Sequence, residues 1–119
     1  MAANLAEEMA AAAKVGAKPI PFGANGTSTI VNSGTVKFVV TESGELIIAP
    51  HTVKGVEISH AVLAGGKPVV TAGQAEIAAG GGKFIGMRIT EHSGHYMPSA
   101  ESLNAAKRAF EKCGVVFPE

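Results

Sequence analysis

The sequence of 119 residues contains no aspartate and no tryptophan, and it has a single cysteine and a single tyrosine. Without Asp, the carboxylates that hold the divalent cation of many nucleases and phosphatases are missing. One thiol can form neither an intrachain disulfide nor a cysteine-based zinc site. Lys and Arg together number 10, as do the acidic residues, so the net charge is zero and no basic field indicates a nucleic-acid or membrane partner.

Long apolar runs are also missing. The longest run near the start, residues 9–15, is interrupted by Lys14. It is far shorter than the roughly 20 residues of a membrane-spanning helix, and no basic segment precedes it as in a secretory signal. We therefore expect either a cytoplasmic protein or a piece of a longer chain that other segments deliver. The hydrophobic share of 46% with only 5% aromatics predicts one domain with a core built largely from Ala, Val, Ile and Leu.

The beginning of the chain differs in composition from the rest. Residues 2–15 are rich in alanine and predict a short amphipathic helix. Residues 19–34 are rich in Pro, Gly, Asn, Ser and Thr, and they predict a linker with one edge strand at 29–31. We therefore expect a helix and linker arm over 1–34 and a core domain over 35–119.

In the expected core, short β-branched runs are separated by Gly or Pro, which is typical of an antiparallel sheet. The runs that predict strands are 35–41, 45–49, 56–63, 68–72, 74–78 and 83–90. A closing helix is predicted over 100–113, with Ser99 as its N-cap and Gly114 just beyond its end. The sequence thus predicts the α+β class: an N-terminal helix, a twisted antiparallel sheet of about six short strands, and a C-terminal helix.

Histidines provide the first indication of chemistry. All four lie between Pro50 and Pro98: His51, His60, His92 and His95. Two imidazoles that titrate near neutrality can act as a base and an acid without a metal, and the reaction best served by such a pair is transesterification of RNA. One imidazole takes the proton of the 2′-hydroxyl, another protonates the leaving 5′-oxygen, and a cation stabilises the phosphorane. The candidate cations are Lys54, Lys67, Lys83 and Arg88.

The segment 91–98 is the strongest candidate for a functional role. Its small residues Ser93 and Gly94 allow a ligand to approach closely, and Tyr96, the only tyrosine, follows His95. The segment leads into the N-terminus of the predicted closing helix, whose unpaired N–H groups suit a phosphate. We therefore expect these residues to bind substrate.

His60 presents a second, less decisive case. Strand alternation over 56–63 would place its imidazole on the same face as Ile58 and Val62. A polar ring on an apolar face needs a hydrogen-bond partner or has a functional role. Structural roles are the alternative. A single histidine in a strand is more often hydrogen-bonded than catalytic, and a lone cysteine such as Cys113 is more often packed in the core than nucleophilic. A metal site is disfavoured because His92 and His95, three apart in a turn, would need a third ligand.

Three blocks of residues resemble a known pattern. The run from His60 to Gly66, the block 71–73 and the block 93–98 resemble His-x-x-Leu-x-Gly-Gly, Ala-Ala-Gly and Ser-Gly-His-Tyr-x-Pro. This pattern occurs in C-terminal toxin domains of bacterial polymorphic toxins, including contact-dependent growth inhibition proteins, and in a domain of plant IQ-motif calmodulin-binding proteins. The likeness covers roughly 54–117. Ala61 stands where the pattern has Ser, and Thr71 replaces the first Ala of the middle block.

The resemblance implies an effector domain at the tip of a larger secreted or surface protein. Such a tip acts in the cytoplasm of a target cell and is neutralised by a cognate immunity protein. Many such domains are similar to the barnase, EndoU, colicin and RelE group of metal-independent RNases, so RNA, and tRNA in particular, is the expected substrate. No metal or other cofactor is expected.

The resulting hypothesis gives each residue a role. His60 and His95 are the acid and base, with Tyr96 orienting or donating to the phosphate and Lys54 or Lys83 stabilising charge. Substrate binding is assigned to Ser93, Gly94, Ser99 and Arg88. The hypothesis requires His60 and His95 to meet across the sheet around a hollow that is open to solvent.

Two other functions stay open at the level of sequence. One is a toxin that consumes NAD or transfers ADP-ribose from it, with Glu91 or Glu101 polarising the ribose. The other is a non-catalytic binding module in which His95 and Tyr96 are structural corner residues.

Overall fold

The structure is a computed structural model that describes residues 5–16, 18–58, 60–65, 67–80, 83–91 and 99–117. Over these ranges the helices are α1 (Leu5–Lys14), α2 (Thr27–Asn32), α3 (His60–Ala64) and α4 (Ser99–Lys112). The strands are β1 (Ile20–Pro21), β2 (Val36–Thr41), β3 (Leu46–Pro50), β4 (Thr52–Val53), β5 (Val56–Glu57), β6 (Val69–Gly80) and β7 (Lys83–Glu91).

Five of these strands form one antiparallel sheet in the order β1-β3-β2-β6-β7, and β4 and β5 form a separate small hairpin. Helices lie at both ends of the described chain: α4 packs against the sheet, and α1 packs against α3. The predicted α+β class, with an N-terminal helix, an antiparallel sheet and a C-terminal helix, is confirmed. The predicted hairpin between the first two core strands is confirmed as well, since Val39 of β2 lies opposite Ile47 of β3.

The two faces of the sheet are covered by different helices. On the face that we call the α4 face, Phe38 packs with Ala106 and Phe110 of α4 in the larger core cluster. Phe110 is fully buried, and its ring makes edge-to-face contacts with those of Phe22, Phe38 and Phe117 at centroid distances of 5.9, 5.2 and 5.1 Å. Gly114, at φ +90°, ends α4 as predicted and turns the chain so that Phe117 enters this core.

The opposite face, the α3 face, is only partly covered. Val62 and Leu63 of α3 and Ala12 of α1 pack there in a second cluster, against Val39 of β2 and Ala72 of β6. No described residue of β7 belongs to that cluster. The side chains of Glu76, Arg88 and Thr90 are exposed on this side of β6 and β7. The α3 face therefore has an apolar half under the helices and a polar half beside it.

The predicted edge strand at 29–31 is wrong, because the structure has helix α2 there. The turn before the helix sets its direction: Gly26 adopts φ +103°, and the Thr27 hydroxyl accepts from the Gly23 N–H and donates to the Ala24 carbonyl. Consecutive residues Ile30 and Val31 then both reach the α4-face core. A strand would point these two neighbours to opposite faces.

The predicted strand over 56–63 is also wrong. Strand β5 ends at Glu57, and the Ile58 N–H donates to the His51 carbonyl to close the small hairpin. The chain then turns into α3, where the consecutive residues Val62 and Leu63 are both buried. His60 is therefore the first residue of a helix and not a strand residue between Ile58 and Val62.

The two strands predicted at 68–72 and 74–78 are one continuous strand, β6. Gly73, expected to separate them, lies within the ladder opposite Phe38 of β2 and Glu91 of β7. The division into an arm over 1–34 and a core over 35–119 stays a prediction. In the structure, β1 of that arm pairs with β3, and α2 contributes Ile30 and Val31 to the core.

A β-bulge interrupts the pairing of β6 with β7. Glu76 lies opposite Arg88, but the next residue, Ile77, lies opposite Gly86, so Met87 is the extra residue. Phe84 and Ile89 both pack on the α4-face core, although they are five residues apart. Strict alternation would have put these two on opposite faces. The bulge thus allows Ile89 to face the core while Arg88 and Thr90 point to the α3 face.

Candidate functional site

The candidate site begins at His60. Its Nε2 lies 2.9 Å from the backbone carbonyl oxygen of Gly73 in β6. A carbonyl oxygen only accepts hydrogen bonds, so Nε2 carries the proton and donates it. The contact therefore fixes the orientation of the imidazole and its tautomer, in which Nδ1 is the unprotonated nitrogen of the neutral ring.

Gly73 also connects His60 to the last block of the sequence pattern. Gly73 lies opposite Glu91, the final residue of β7, and the segment 92–98 follows it directly. The histidine of the first block and the glycine of the middle block are thus in contact, and that glycine pairs with Glu91, two residues before the last block, although 31 positions separate residue 60 from residue 91. The predicted residues Ser93, Gly94, His95 and Tyr96 lie outside the described residues, as does His92. The meeting of His60 with His95 therefore stays a prediction.

A pocket opens on the polar half of the α3 face next to this junction. We call it the polar pocket; its lining residues are Thr35, Gln74, Ala75, Glu76, Arg88 and Thr90, and its volume is about 170 Å³. Gln74 directly follows Gly73, which accepts the hydrogen bond from His60. The pocket therefore starts one residue along β6 from the partner of the histidine.

Cross-strand pairing places the polar side chains in rows. Lys37 of β2 lies opposite Gln74 of β6, and Gln74 lies opposite Thr90 of β7. In the adjacent pair, Glu76 lies opposite Arg88. In the described part of the chain, no ion pair joins this carboxylate to this guanidinium. Both charged groups are thus available to a bound molecule.

Lys37 was not among the candidate cations predicted from the sequence. It is only 2% exposed and is among the largest fully buried side chains of the described residues. Its neighbours Val36 and Phe38 belong to the α4-face core, so alternation puts Lys37 on the α3 face beside Gln74. The sequence of β2 could have revealed this lysine, because it is the one charged residue within a strand of otherwise apolar or small polar residues.

The structure separates the predicted cations from one another. Arg88 lines the polar pocket, and its partner Glu76 is three residues from Gly73, or about 10 Å along the strand. Lys83 lies opposite Gly80, seven residues from Gly73, which is about 23 Å along β6. The structure therefore brings Arg88 near the partner of His60 and does not bring Lys83 there.

Lys54 occupies the tip of the small hairpin, where its side chain is exposed. It is the only described non-glycine residue with positive φ, at 51°, and Gly55 follows at 81°. Two consecutive residues with positive φ between paired strands form a type I′ turn. This turn accounts for the backbone at Lys54, and no described contact joins Lys54 to His60.

The other candidates lie apart from the junction. His51 donates its backbone N–H to Thr35 and accepts from Ile58, and its buried Nδ1 has no hydrogen-bond partner among the described atoms. Lys67 is exposed and lies 4.0 Å from Glu45. Partial burial raises the pKa of the Cys113 thiol, so this exposed cysteine is largely protonated near neutral pH.

The remaining predicted positions are on α4. Ser99 is the first residue of that helix, and Glu101, the alternative ribose-polarising residue, is exposed in its first turn. Over the described residues, no group of three or more His, Cys, Asp or Glu side chains could hold a metal ion. None of the described helices combines the length and apolar character needed to cross a bilayer.

Comparison with known proteins gives no match: no protein family, no curated protein and no solved structure is similar enough to the chain to indicate a relative.

Proposed function

We propose that the chain is an antibacterial toxin domain that cleaves RNA, with tRNA as the expected substrate, by metal-independent transesterification. The observation that carries the proposal is the junction at Gly73. There the carbonyl of Gly73 orients His60, and the same residue pairs with Glu91, which directly precedes the segment containing His95. His60 is thus held beside the strand end from which the chain continues towards His95.

The proposed reaction needs two proton transfers. One imidazole takes the proton of the ribose 2′-hydroxyl, and the 2′-oxygen attacks phosphorus to form a 2′,3′-cyclic phosphate. The bond from phosphorus to the 5′-oxygen breaks, and the second imidazole gives that oxygen a proton. Nδ1 of His60 carries out one transfer and His95 the other. The hydrogen bond from Nε2 to Gly73 reduces the rotational freedom that His60 must lose in the transition state.

In this proposal the polar half of the α3 face supplies local contacts that bind the RNA. Net charge is zero, so general attraction to RNA is weak and local cations must act. Arg88 is the described cation that lines the pocket beside the junction. The assigned roles of Tyr96, Ser93, Gly94 and Ser99 in holding the phosphate are part of the same proposal.

The test is cleavage of purified tRNA by the wild-type chain and by His60→Ala and His95→Ala, with the products analysed for 2′,3′-cyclic phosphate ends. Removing either general acid or general base is expected to lower the rate by about 10²–10⁴-fold. His51→Ala is the matched control, because His51 lies outside both the pattern and the junction, and it is expected to cleave normally. Circular dichroism spectra of all variants verify that they are folded.

Two results would count against the proposal. If both variants cleave as fast as the wild type, His60 and His95 are not the acid and base. If the wild type cuts no RNA, with or without cell extract, the reaction itself is wrong.

The resemblance to polymorphic toxins supports the proposed biological setting. We propose delivery as the tip of a larger secreted or surface protein, action in the target-cell cytoplasm, and neutralisation by a cognate immunity protein. Induced expression in a sensitive bacterium is expected to stop growth, and His60→Ala to restore it. Harmless expression of the wild type would favour the non-catalytic binding module.

A further inference from the structure

The polar pocket is too small for a whole nucleotide. Its volume of about 170 Å³ lies below the roughly 300–1,000 Å³ of sites that enclose a complete small molecule. It is also several times the ~30 Å³ that one water occupies in the liquid. One part of a nucleotide, and not the whole, is therefore the size of ligand that this space accommodates.

The chemistry of the lining distinguishes between the parts of a nucleotide. Glu76 supplies only acceptors, Arg88 supplies only donors, and Gln74 supplies both. The two charges cancel, so the pocket as a whole does not attract an anion. A phosphate would lie against the Glu76 carboxylate and be repelled. A neutral base edge, in which N–H donors alternate with acceptor atoms, can pair with the carboxylate and the guanidinium together.

The side chains are also held in a fixed arrangement. Gln74, Glu76, Arg88 and Thr90 stand on two strands whose register is set by continuous pairing, and the Thr90 hydroxyl donates to the Gln74 carbonyl at 3.4 Å. A site on paired strands loses less freedom on binding than a site on a loop. Arg88 and Thr90, two residues apart, share a face by alternation, and the bulge at Met87 makes this the α3 face while Phe84 packs on the α4-face core.

We propose that the polar pocket is a nucleobase-binding subsite, in which Glu76 and Arg88 read the edge of the base beside the cleaved phosphodiester. This inference rests on the proposed RNase function, and it adds a sequence preference to it. Gln74 places the subsite one residue from Gly73, the partner of His60, so the base and the reacting phosphate belong to adjacent positions of one RNA strand.

The first test needs no cleavage. Guanosine, adenosine, cytidine, uridine and inorganic phosphate are titrated separately into the ¹⁵N-labelled protein, and the backbone amide shifts of 74–76 and 88–90 are followed. At least one nucleoside is expected to shift these amides with an affinity tenfold or more above the weakest nucleoside. Inorganic phosphate is expected to leave them unchanged and not to compete.

Glu76→Gln is the diagnostic variant, and Glu42→Gln, on the exposed turn after β2, is the matched control. Glu76→Gln removes the charged acceptor that pairs with the base edge, so it is expected to weaken binding of the preferred nucleoside by about tenfold or more. Glu42→Gln is expected to bind as the wild type does. Unchanged binding by Glu76→Gln, or phosphate competing for the same amides, would overturn the subsite.

Cleavage of a mixed-sequence RNA separates this inference from the proposed function. The expected result is a wild-type preference for one base next to the cut, a relaxed preference in Glu76→Gln and no cutting by His60→Ala. Nucleoside binding without cleavage would leave the subsite standing and refute the RNase. Cleavage without any base preference or nucleoside binding would support the RNase function and refute the subsite.

Discussion

Lys54 is a residue whose backbone and whose predicted role can be tested together. Its φ of 51° places an L-residue with a long side chain in the left-handed region, in a turn that favours Asn followed by Gly. Lys54→Asn creates this pair with Gly55 and is expected to raise the free energy of unfolding by about 0.5–1 kcal/mol, as measured by urea denaturation. Lys67→Asn, at another exposed lysine, is the control and is expected to change little.

The same variant tests the predicted catalytic role of Lys54. If Lys54 only forms the turn, Lys54→Asn cleaves RNA at the wild-type rate. A loss of activity in the stabilised variant would show that the ammonium group takes part in the reaction.

Cys113 allows a prediction about pH. Burial disfavours the thiolate and raises the pKa of Cys113, so the reactive fraction at neutral pH is smaller than in an unburied thiol. We expect iodoacetamide to modify the folded protein more slowly than the protein unfolded in urea, and the rate to rise over a higher pH range in the folded state. Equal pH profiles in the two states would contradict this explanation.

At the scale of elements, Gly86 marks a close contact between β7 and the segment after α4. The Gly86 N–H donates to the Val116 carbonyl, and a Cβ built on Gly86 would lie 2.6 Å from two ring atoms of Phe117. Because Phe117 is buried in the α4-face core, the ring cannot simply move aside. Gly86→Ala is therefore expected to cost about 1–3 kcal/mol in urea denaturation.

Gly80→Ala is the matched control for this contact, since an added Cβ at Gly80 has no atom within 4 Å. It is expected to shift the free energy of unfolding by less than about 0.5 kcal/mol. If the two glycine variants are equally stable, Phe117 does not close the core against β7.

The elements that sequence patterns predicted are those whose signals are local. The β2–β3 hairpin follows from β-branched and apolar runs on either side of the turn at Gly44, and the end of α4 follows from Gly114. Helices α2 and α3 were mistaken for strands, because their short apolar runs fit either period and only packing decides between them. In α3, for example, Val62 and Leu63 are buried together against Val39 and Ala72.

The candidate site was predictable only in part. His60 was identified because a histidine among apolar residues needs a partner, but that partner is a backbone carbonyl, which no side-chain pattern indicates. The polar pocket was missed except for Arg88. Its other members come together through the register of β6 with β2 and β7, which depends on the bulge at Met87.

At the scale of the whole molecule, the first 34 residues allow a test of the expected arm and core. Within the described structure, β1 covers the edge of β3, and Ile30 and Val31 complete the α4-face core. We therefore expect a chain of residues 35–119 to lose cooperative urea unfolding, because apolar surface that is buried in the full chain becomes exposed. A chain of residues 18–119, which lacks only α1, is expected to unfold cooperatively at a lower urea concentration.

The two truncated chains also distinguish between an arm that is part of the fold and an arm that is an appendage. Cooperative unfolding of 35–119 with the stability of the full chain would show that the arm is an appendage. The same result for 18–119 would show only that α1 is dispensable.

The extra residue in β7 makes one position of the strand dispensable to the pocket. The Met87 side chain is 57% exposed, so many residue types fit at this position. Without Met87, Arg88 would follow Gly86 in regular alternation and stay opposite Glu76, with Thr90 opposite Gln74. Homologues that keep the pocket are therefore expected to vary freely in the amino acid at this position or to lack it, and to keep the spacing from Arg88 to Thr90.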